Sequence, residues 1–220
     1  MVENVLFAWS GGKDSAIALY ELREHVDYQI RDLLTTVTQD YDRISMHGVR
    51  RVLLEKQSTC LGYPLEQVLI SKNATDEEYE TKMREMLEKN KEAGVSCVAF
   101  GDIFLEDLRK YREDNLLKIG MKAVFPIWKR DTAELARSFL KLGFKAVITC
   151  VDSEVLDKRF AGRLFDEQFL SDLPPGVDPC GENGEFHSFV FDGPIFKTAM
   201  KIEIGDVVLR DSRFWFCDLT

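Results

Sequence analysis

In Val5-Leu6-Phe7-Ala8-Trp9-Ser10-Gly11-Gly12-Lys13-Asp14-Ser15-Ala16-Ile17-Ala18-Leu19-Tyr20 an apolar run passes through a glycine turn into a helical pattern. Val5 to Trp9 reads as a buried strand. Asp14 to Glu24 reads as a helix, with Ala16, Ile17, Leu19 and Tyr20 spaced for one face. Gly11 and Gly12 carry no side chains, so a phosphate could come close to the backbone between the two elements. The first amides of a helix are unpaired, and its dipole adds partial positive charge there. Ser10 and Ser15 offer hydroxyls and Lys13 a cation. The spacing is neither Gly-x-x-x-x-Gly-Lys-Ser/Thr nor Gly-x-Gly-x-x-Gly, which sets aside the usual P-loop and dinucleotide fingerprints. The bland alternative is a strand-to-helix turn with Asp14 as a helix-start acid.

The same alternation continues outward. Strands are expected at Leu33–Val37, Leu65–Ile70, Val95–Phe100, Ala123–Phe125 and Ala146–Val151. Helices are expected at Val49–Leu61, Asp76–Ala93, Leu105–Ile119 and Thr132–Leu142, several of them closed by a glycine. Thr75 and Glu78 have the spacing of a capping box. This order implies an α/β fold with a doubly wound, mostly parallel sheet covered on both faces. Ligands of such sheets bind outside the carboxyl ends of the strands, so residues just after Trp9, Val37, Phe100 and Val151 are expected on one rim. That rule singles out Gly101 with Asp102, and also Asp152. After Val151 the pattern changes. A helical stretch at Leu156–Leu170 is followed by a Pro/Gly-rich loop at Leu173–Gly184. Short strands then follow at Phe189–Phe191, Lys201–Ile204, Val207–Arg210 and Phe214–Phe216. The expected division is a nucleotide-binding α/β domain at 1–152 and a small C-terminal α+β subdomain on the substrate side at 153–220.

The 220 residues are 45% hydrophobic and 30% charged, an ordinary globular composition, and the net charge of −9 argues against nonspecific nucleic-acid binding. Five cysteines without a Cys-x-x-Cys pair fit a reducing, cytoplasmic setting better than a disulfide framework. The N-terminus lacks a cationic stretch and a cleavage site, so no signal peptide is expected. No apolar run approaches the roughly 20 residues that span a bilayer, so no membrane partner is expected.

Glu182, Asn183, Glu185 and His187 crowd into the late loop between glycines. Carboxylates and a histidine so placed could bind an amine, act as base or hold a metal. They could equally stabilise a solvated turn. Cys180 reads as a structural thiol, because one Cys near one His is weak evidence for a nucleophile, and no zinc ligand set of known spacing is present.

Four segments together carry a family resemblance: Ser10 to Ser15, Ser45-Met46-His47-Gly48-Val49-Arg50, Gly101 to Asp107, and Asp178 to Val190 with Asp192-Gly193-Pro194. The first is similar to the loop of the N-type ATP pyrophosphatases, the adenine nucleotide alpha hydrolase group. The whole set resembles the diphthine–ammonia ligase (diphthamide synthetase) family over nearly all of the chain. Archaeal and eukaryotic members carry an acidic residue and Thr where His187 and Ser188 stand, so the variant resembles a bacterial-type branch.

The resemblance implies ATP and Mg²⁺ as cofactors and cleavage of ATP to AMP and pyrophosphate. It implies a carboxylate substrate that is adenylated and then amidated by ammonia. In the family that substrate is diphthine, a modified histidine on a translation elongation factor. ATP would be held by Ser10, Gly11, Gly12, Lys13, Asp14, Ser15, Thr36, Met46, His47, Gly101 and Asp102. Catalysis would fall to Lys13, Asp102, Glu182, Glu185 and His187, and substrate binding to Arg50, Asp152, Arg163 and Asn183. No metal site built from protein ligands alone is expected, and a homo-oligomer stays open. Two other readings compete: a tRNA-modifying member of the superfamily, and a non-catalytic ATP or AMP sensor.

Overall fold

The computed structural model describes residues 2–44 and 48–220; the expected nucleotide contacts Met46 and His47 lie outside them. Elements run in the order β1 Glu3–Ala8, α1 Lys13–Arg23, β2 Tyr28–Thr38, β3 Arg43–Ile44, α2 Arg51–Leu61, β4 Leu65–Ile70, α3 Asp76–Glu92, β5 Cys97–Ala99, α4 Glu106–Lys118 and β6 Lys122–Val124. They continue with α5 Thr132–Lys141, β7 Lys145–Asp152, a 3₁₀ turn at Lys158–Phe160, α6 Glu167–Asp172, β8 Phe186–Asp192, β9 Ile204–Arg210 and β10 Phe214–Leu219. Among the described residues, no helix is long and apolar enough to cross a membrane.

The first sheet is mostly parallel. β1 lies between β2 and β5, β4 pairs with β2, β6 pairs with β5, and the short β3 runs antiparallel to the end of β2. The two-residue period of a strand sends Val5, Phe7 and Trp9 into one core and Leu6 with Ala8 into another. The first core is shared with α1, α2 and α5; the second is closed by Leu87 of α3 and Leu116 of α4. Helices therefore cover both faces, as the alternation implied. Thr75 caps α3 by accepting from the Glu78 amide at 3.2 Å.

The strand at Lys145–Asp152 does not join this sheet. β7 pairs antiparallel with β8 and β10, and β9 completes a separate four-stranded sheet in the order β8-β7-β10-β9. The expected rim therefore loses its fourth strand. An apolar run marks β7 as a buried strand but carries no information on which strands will pair with it.

The helix expected at Leu156–Leu170 is broken for a related reason. Gly162 has φ +80°, and the backbone around it pairs with β7: Ile148 N donates to Arg163 O and Phe165 N to Ala146 O, both at 2.9 Å. Only the 3₁₀ turn and α6 remain helical. The two short strands expected at Lys201–Ile204 and Val207–Arg210 are one strand, β9, which begins at Ile204.

A single glutamine side chain joins the two sheets. Gln57 of α2 is 0% exposed. Its Oε1 accepts from Trp9 Nε1 at 2.7 Å, and its Nε2 donates to Gly11 O at 3.1 Å and Val190 O at 2.6 Å. Val190 N also donates to Gly11 O at 2.9 Å. Gln57→Leu keeps the volume but removes the side-chain partner of Trp9 Nε1 and Val190 O in the core, where each unsatisfied group costs about 1–3 kcal/mol; Gly11 O keeps the Val190 amide. The expected result is a loss of roughly 3 kcal/mol or more in urea unfolding, beyond what an exposed Gln→Leu change on the same helix produces.

Candidate active site

The chain leaves β1 at the carboxyl edge of the parallel sheet and turns at once into α1. Gly11 makes that turn with φ +80°, and a Cβ there would sit 2.9 Å from Gln57 Oε1. Gly101, just beyond β5, presses against the same turn: a Cβ on it would lie 2.9 Å from Ser15 N and 3.0 Å from the Asp14 carbonyl carbon. Gly11 is thus required by its left-handed backbone and the side chains packed on it, and Gly101 by close backbone approach. The hydroxyls of Ser10 and Ser15 are 2.7 Å apart, and Ser10 Oγ accepts from Gly12 N at 3.3 Å. These bonds shape the turn from within.

The second sheet supplies the other wall. Ser188 on β8 accepts from Lys13 N at 3.2 Å. Lys13 Nζ donates to Asp14 Oδ2 at 2.9 Å and to the carbonyl of Cys180 in the late loop. It lies 5.1 Å from the centre of the Phe186 ring and is 3% exposed. Burial is the largest influence and works against the Lys13 charge, but the surrounding groups, Asp14 foremost and Glu182 among them, together hold the ammonium above its ordinary range. Burial lifts the Asp14 carboxyl, with Lys13 pulling the other way.

A cavity of about 870 Å³ opens over this junction and runs on between α3 and α4. Of the residues assigned from sequence, Ser10, Lys13, Asp14, Ser15, Thr36, Gly101, Asp102, Glu182 and His187 line it. Gly11 and Gly12 belong to the turn but not to the cavity lining. Asp102 faces Arg112 of α4, whose Nε lies 2.7 Å from Oδ2 and whose guanidinium stacks 4.3 Å from the Phe100 ring centre.

Glu182 is a strongly perturbed carboxyl in the cavity. Its Oε1 accepts from Ile103 N at 2.7 Å and more weakly from Phe104 N at 3.4 Å, tying the late loop to the loop after β5. Burial pushes its carboxyl up to about 7; the Ile103 amide opposes this and the nearby Asp14 charge adds to it. Its neighbours in the loop do different work. Glu185, 6% exposed, accepts from Asp178 N at 3.1 Å, Asn183 N at 3.0 Å and Asn183 Nδ2 at 3.0 Å. Glu185 and Asn183 are thus engaged in the loop's own scaffold and are not part of the cavity lining. The Cys180 thiol donates to Thr132 O at 3.3 Å, and burial raises it far above its ordinary range, so it stays protonated.

Arg50, Asp152 and Arg163 are not brought to the cavity. Arg50 and Arg43 clamp Asp218, whose carboxyl they hold down at about 2, Arg50 contributing most. Asp152 receives Arg213, with Nη2 to Oδ2 at 2.6 Å, and Arg163 pairs with Asp172 at 2.8 Å over the rings of Phe160 and Phe169. All three stand in structural ion pairs that fix the second sheet and its connections.

Sequence reading missed Gln57 and Arg112. Gln57 did leave a trace, because it falls on the buried stripe formed by Leu53, Leu54, Ser58 and Leu61. Arg112 left none in a helix charged along much of its length.

These features define an α/β enzyme with its cavity at the carboxyl edge of a parallel sheet, the place where such folds bind ligands. The chain belongs to the diphthamide synthase family. The family's N-terminal domain matches residues 3–123 and its C-terminal domain residues 131–219.

Proteins called diphthine–ammonia ligase are similar to it. The rat protein is 26% identical over 226 residues, covering 92% of this chain and 84% of its own length. The human protein is 29% identical over 131 residues, covering 57% of this chain and 48% of its own. The chain thus spans about half of that human relative. A solved structure described as a predicted subunit of tRNA methyltransferase from Methanocaldococcus jannaschii superposes with a TM-score of 0.46 at 15% identity, covering 90% of this chain and all of that one.

The Glu182 carboxyl makes stability depend on pH. Its folded value of about 7 lies above the ordinary 4.5. Between them the folded chain holds a proton that the unfolded chain has released, so stability falls as pH rises through this window. Glu182→Gln keeps the acceptor for Ile103 N but cannot ionise. Relative to the unaltered chain it is expected to gain roughly 1–2 kcal/mol, allowing for solvent screening, as pH rises from 4.5 to 8. Urea titrations at several pH values measure this, and parallel curves for the two proteins would rule it out.

Proposed function

We propose that this chain is an ATP-dependent ligase of the diphthine–ammonia ligase type, acting in diphthamide synthesis. In this reading a substrate carboxylate oxygen attacks the α phosphorus of ATP. The bond to the bridging oxygen breaks and pyrophosphate leaves. Ammonia then attacks the acyl carbon of the adenylate, AMP departs with the bonding pair, and the nitrogen gives up a proton as the amide forms.

The observation that carries the reading is the convergence of two segments on one cavity. Lys13 of the glycine turn reaches Cys180 of the late loop, 167 residues away, and Lys13 and Glu182 line the same space. The names carried by the relatives support the activity.

Each role follows from the chemistry of its group. The start of α1, with Ser10, Ser15 and Lys13, would hold the departing pyrophosphate, where preorganised donors and positive charge have the largest effect. Among the described residues no group of three His, Cys, Asp or Glu side chains is arranged to hold a metal. The Mg²⁺ proposed here would use one or two carboxylates and take the rest of its shell from water and phosphate. Asp14, which lines the cavity beside Lys13, would be one such carboxylate. Thr36, which lines the cavity, would face the nucleoside. Glu182, held near neutrality by burial, is the proposed base that takes the proton from the attacking nitrogen, with His187 lining the same wall. The proposed setting is the cytoplasm, where the five free thiols stay reduced.

Incubation with ATP, Mg²⁺, ammonium and an elongation factor bearing diphthine should release AMP and pyrophosphate in equal amounts and add an amide to the acceptor. Lys13→Ala is expected to lower the rate by about 10² to 10³. Release of ADP and phosphate, or AMP formation indifferent to acceptor and ammonium, would defeat the proposal.

A further inference from the structure

β9 forms one edge of the second sheet. It pairs with β10 on one side and, among the described residues, with no strand on the other. Six of its seven residues are exposed, Val207 being the exception. Ile204, Val208 and Leu209 are 51%, 42% and 45% exposed. Soluble proteins usually guard such an edge with charged side chains, above all lysine, with proline or with a bulge. This strand has neither lysine nor proline, and its one irregularity against β10 lies toward the Ile204 end, so Val207 to Arg210 pairs regularly. Two charges flank Val208 at equal distance, Asp206 and Arg210. Both are exposed, and neither forms a salt bridge within the described residues.

We propose that β9 pairs with β9 of a second copy, antiparallel about a two-fold axis through Val208. In that register Val208 faces the partner's Val208, Val207 faces the partner's Leu209, and Asp206 faces the partner's Arg210. The apolar centre is closed at each end by one ion pair, and the two pairs are identical by symmetry. Neighbouring registers lose this match. A slip by one residue sets Asp206 opposite Leu209 in one direction and opposite Asp211 in the other, so charge selects the register.

The opposite edge of the sheet is engaged differently. β8 is tied to the phosphate turn through Val190 and Gln57, so growth beyond two copies is blocked there. The product is an eight-stranded sheet shared by two chains, with the cavities on the remote side of each.

Sedimentation velocity of the full chain from about 1 to about 200 µM covers the range expected for an edge contact of modest area. The expected result is a concentration-dependent monomer–dimer equilibrium. Asp206→Arg brings two guanidinium groups together and should weaken the dimer at least about tenfold. Asp206→Arg combined with Arg210→Asp restores opposite charges and should recover it. Val208→Lys should abolish it, and circular dichroism of each variant checks the fold. A chain that is monomeric throughout overturns the proposal. So does a dimer that survives both Asp206→Arg and Val208→Lys, or one that the double charge swap fails to recover.

Discussion

Two sheets that share no strand meet at a glycine turn, and the side-chain amide of Gln57 holds them there. It takes the indole proton of Trp9 at the end of β1 and gives its own protons to the carbonyls of Gly11 and Val190. A buried amide with all these partners satisfied is rigid, because any movement leaves a polar group unpaired in the core. The turn therefore does not float on the end of β1. It is bolted to α2 from behind and to β8 from the side, and Gly101 closes on it from the third direction. A site for a charged ligand needs this kind of support, since small displacements of preorganised donors cost much of their effect.

Charge in the cavity is arranged with the same economy. Lys13 is almost fully buried, yet its ammonium is matched by Asp14 and by a late-loop carbonyl. Among the described residues Glu182 forms no salt bridge and is held by backbone amides, so burial prevails and its carboxyl is pushed up to about 7. The two carboxyls that shape the late loop, Asp178 and Glu185, are both committed to amides within it. Of the loop's carboxylates, Glu182 lines the cavity while Asp178 and Glu185 bond to amides within the loop.

Much of this was legible in advance. The alternation of apolar runs with helical stretches specified the first sheet, because strand and helix periods are local properties of ten or so residues. The glycine turn after Trp9 was legible for the same reason, and so was the density of the loop from Asp178 to His187. The roles inside that loop were not. Glu182 and Glu185 are three residues apart and chemically alike, but one reaches Ile103 and Phe104 across the sheet junction while the other folds back on Asn183. Arg50, Asp152 and Arg163 looked available for a substrate. Their partners, Asp218, Arg213 and Asp172, are distant or unremarkable in the sequence.

By itself the sequence determined the local grammar of the protein: where strands and helices lie, where the backbone must turn on glycine, and which segments are rich in reactive groups. Tertiary structure alone decided that the strand at Lys145–Asp152 belongs to a second, antiparallel sheet, that Gln57 is the link between the sheets, and that Glu182 rather than Glu185 faces the cavity. The physical reason is one of range. Periodicity and turn chemistry act between near neighbours, whereas strand pairing, burial and the choice of ionic partner are settled by residues that meet only after the chain has folded.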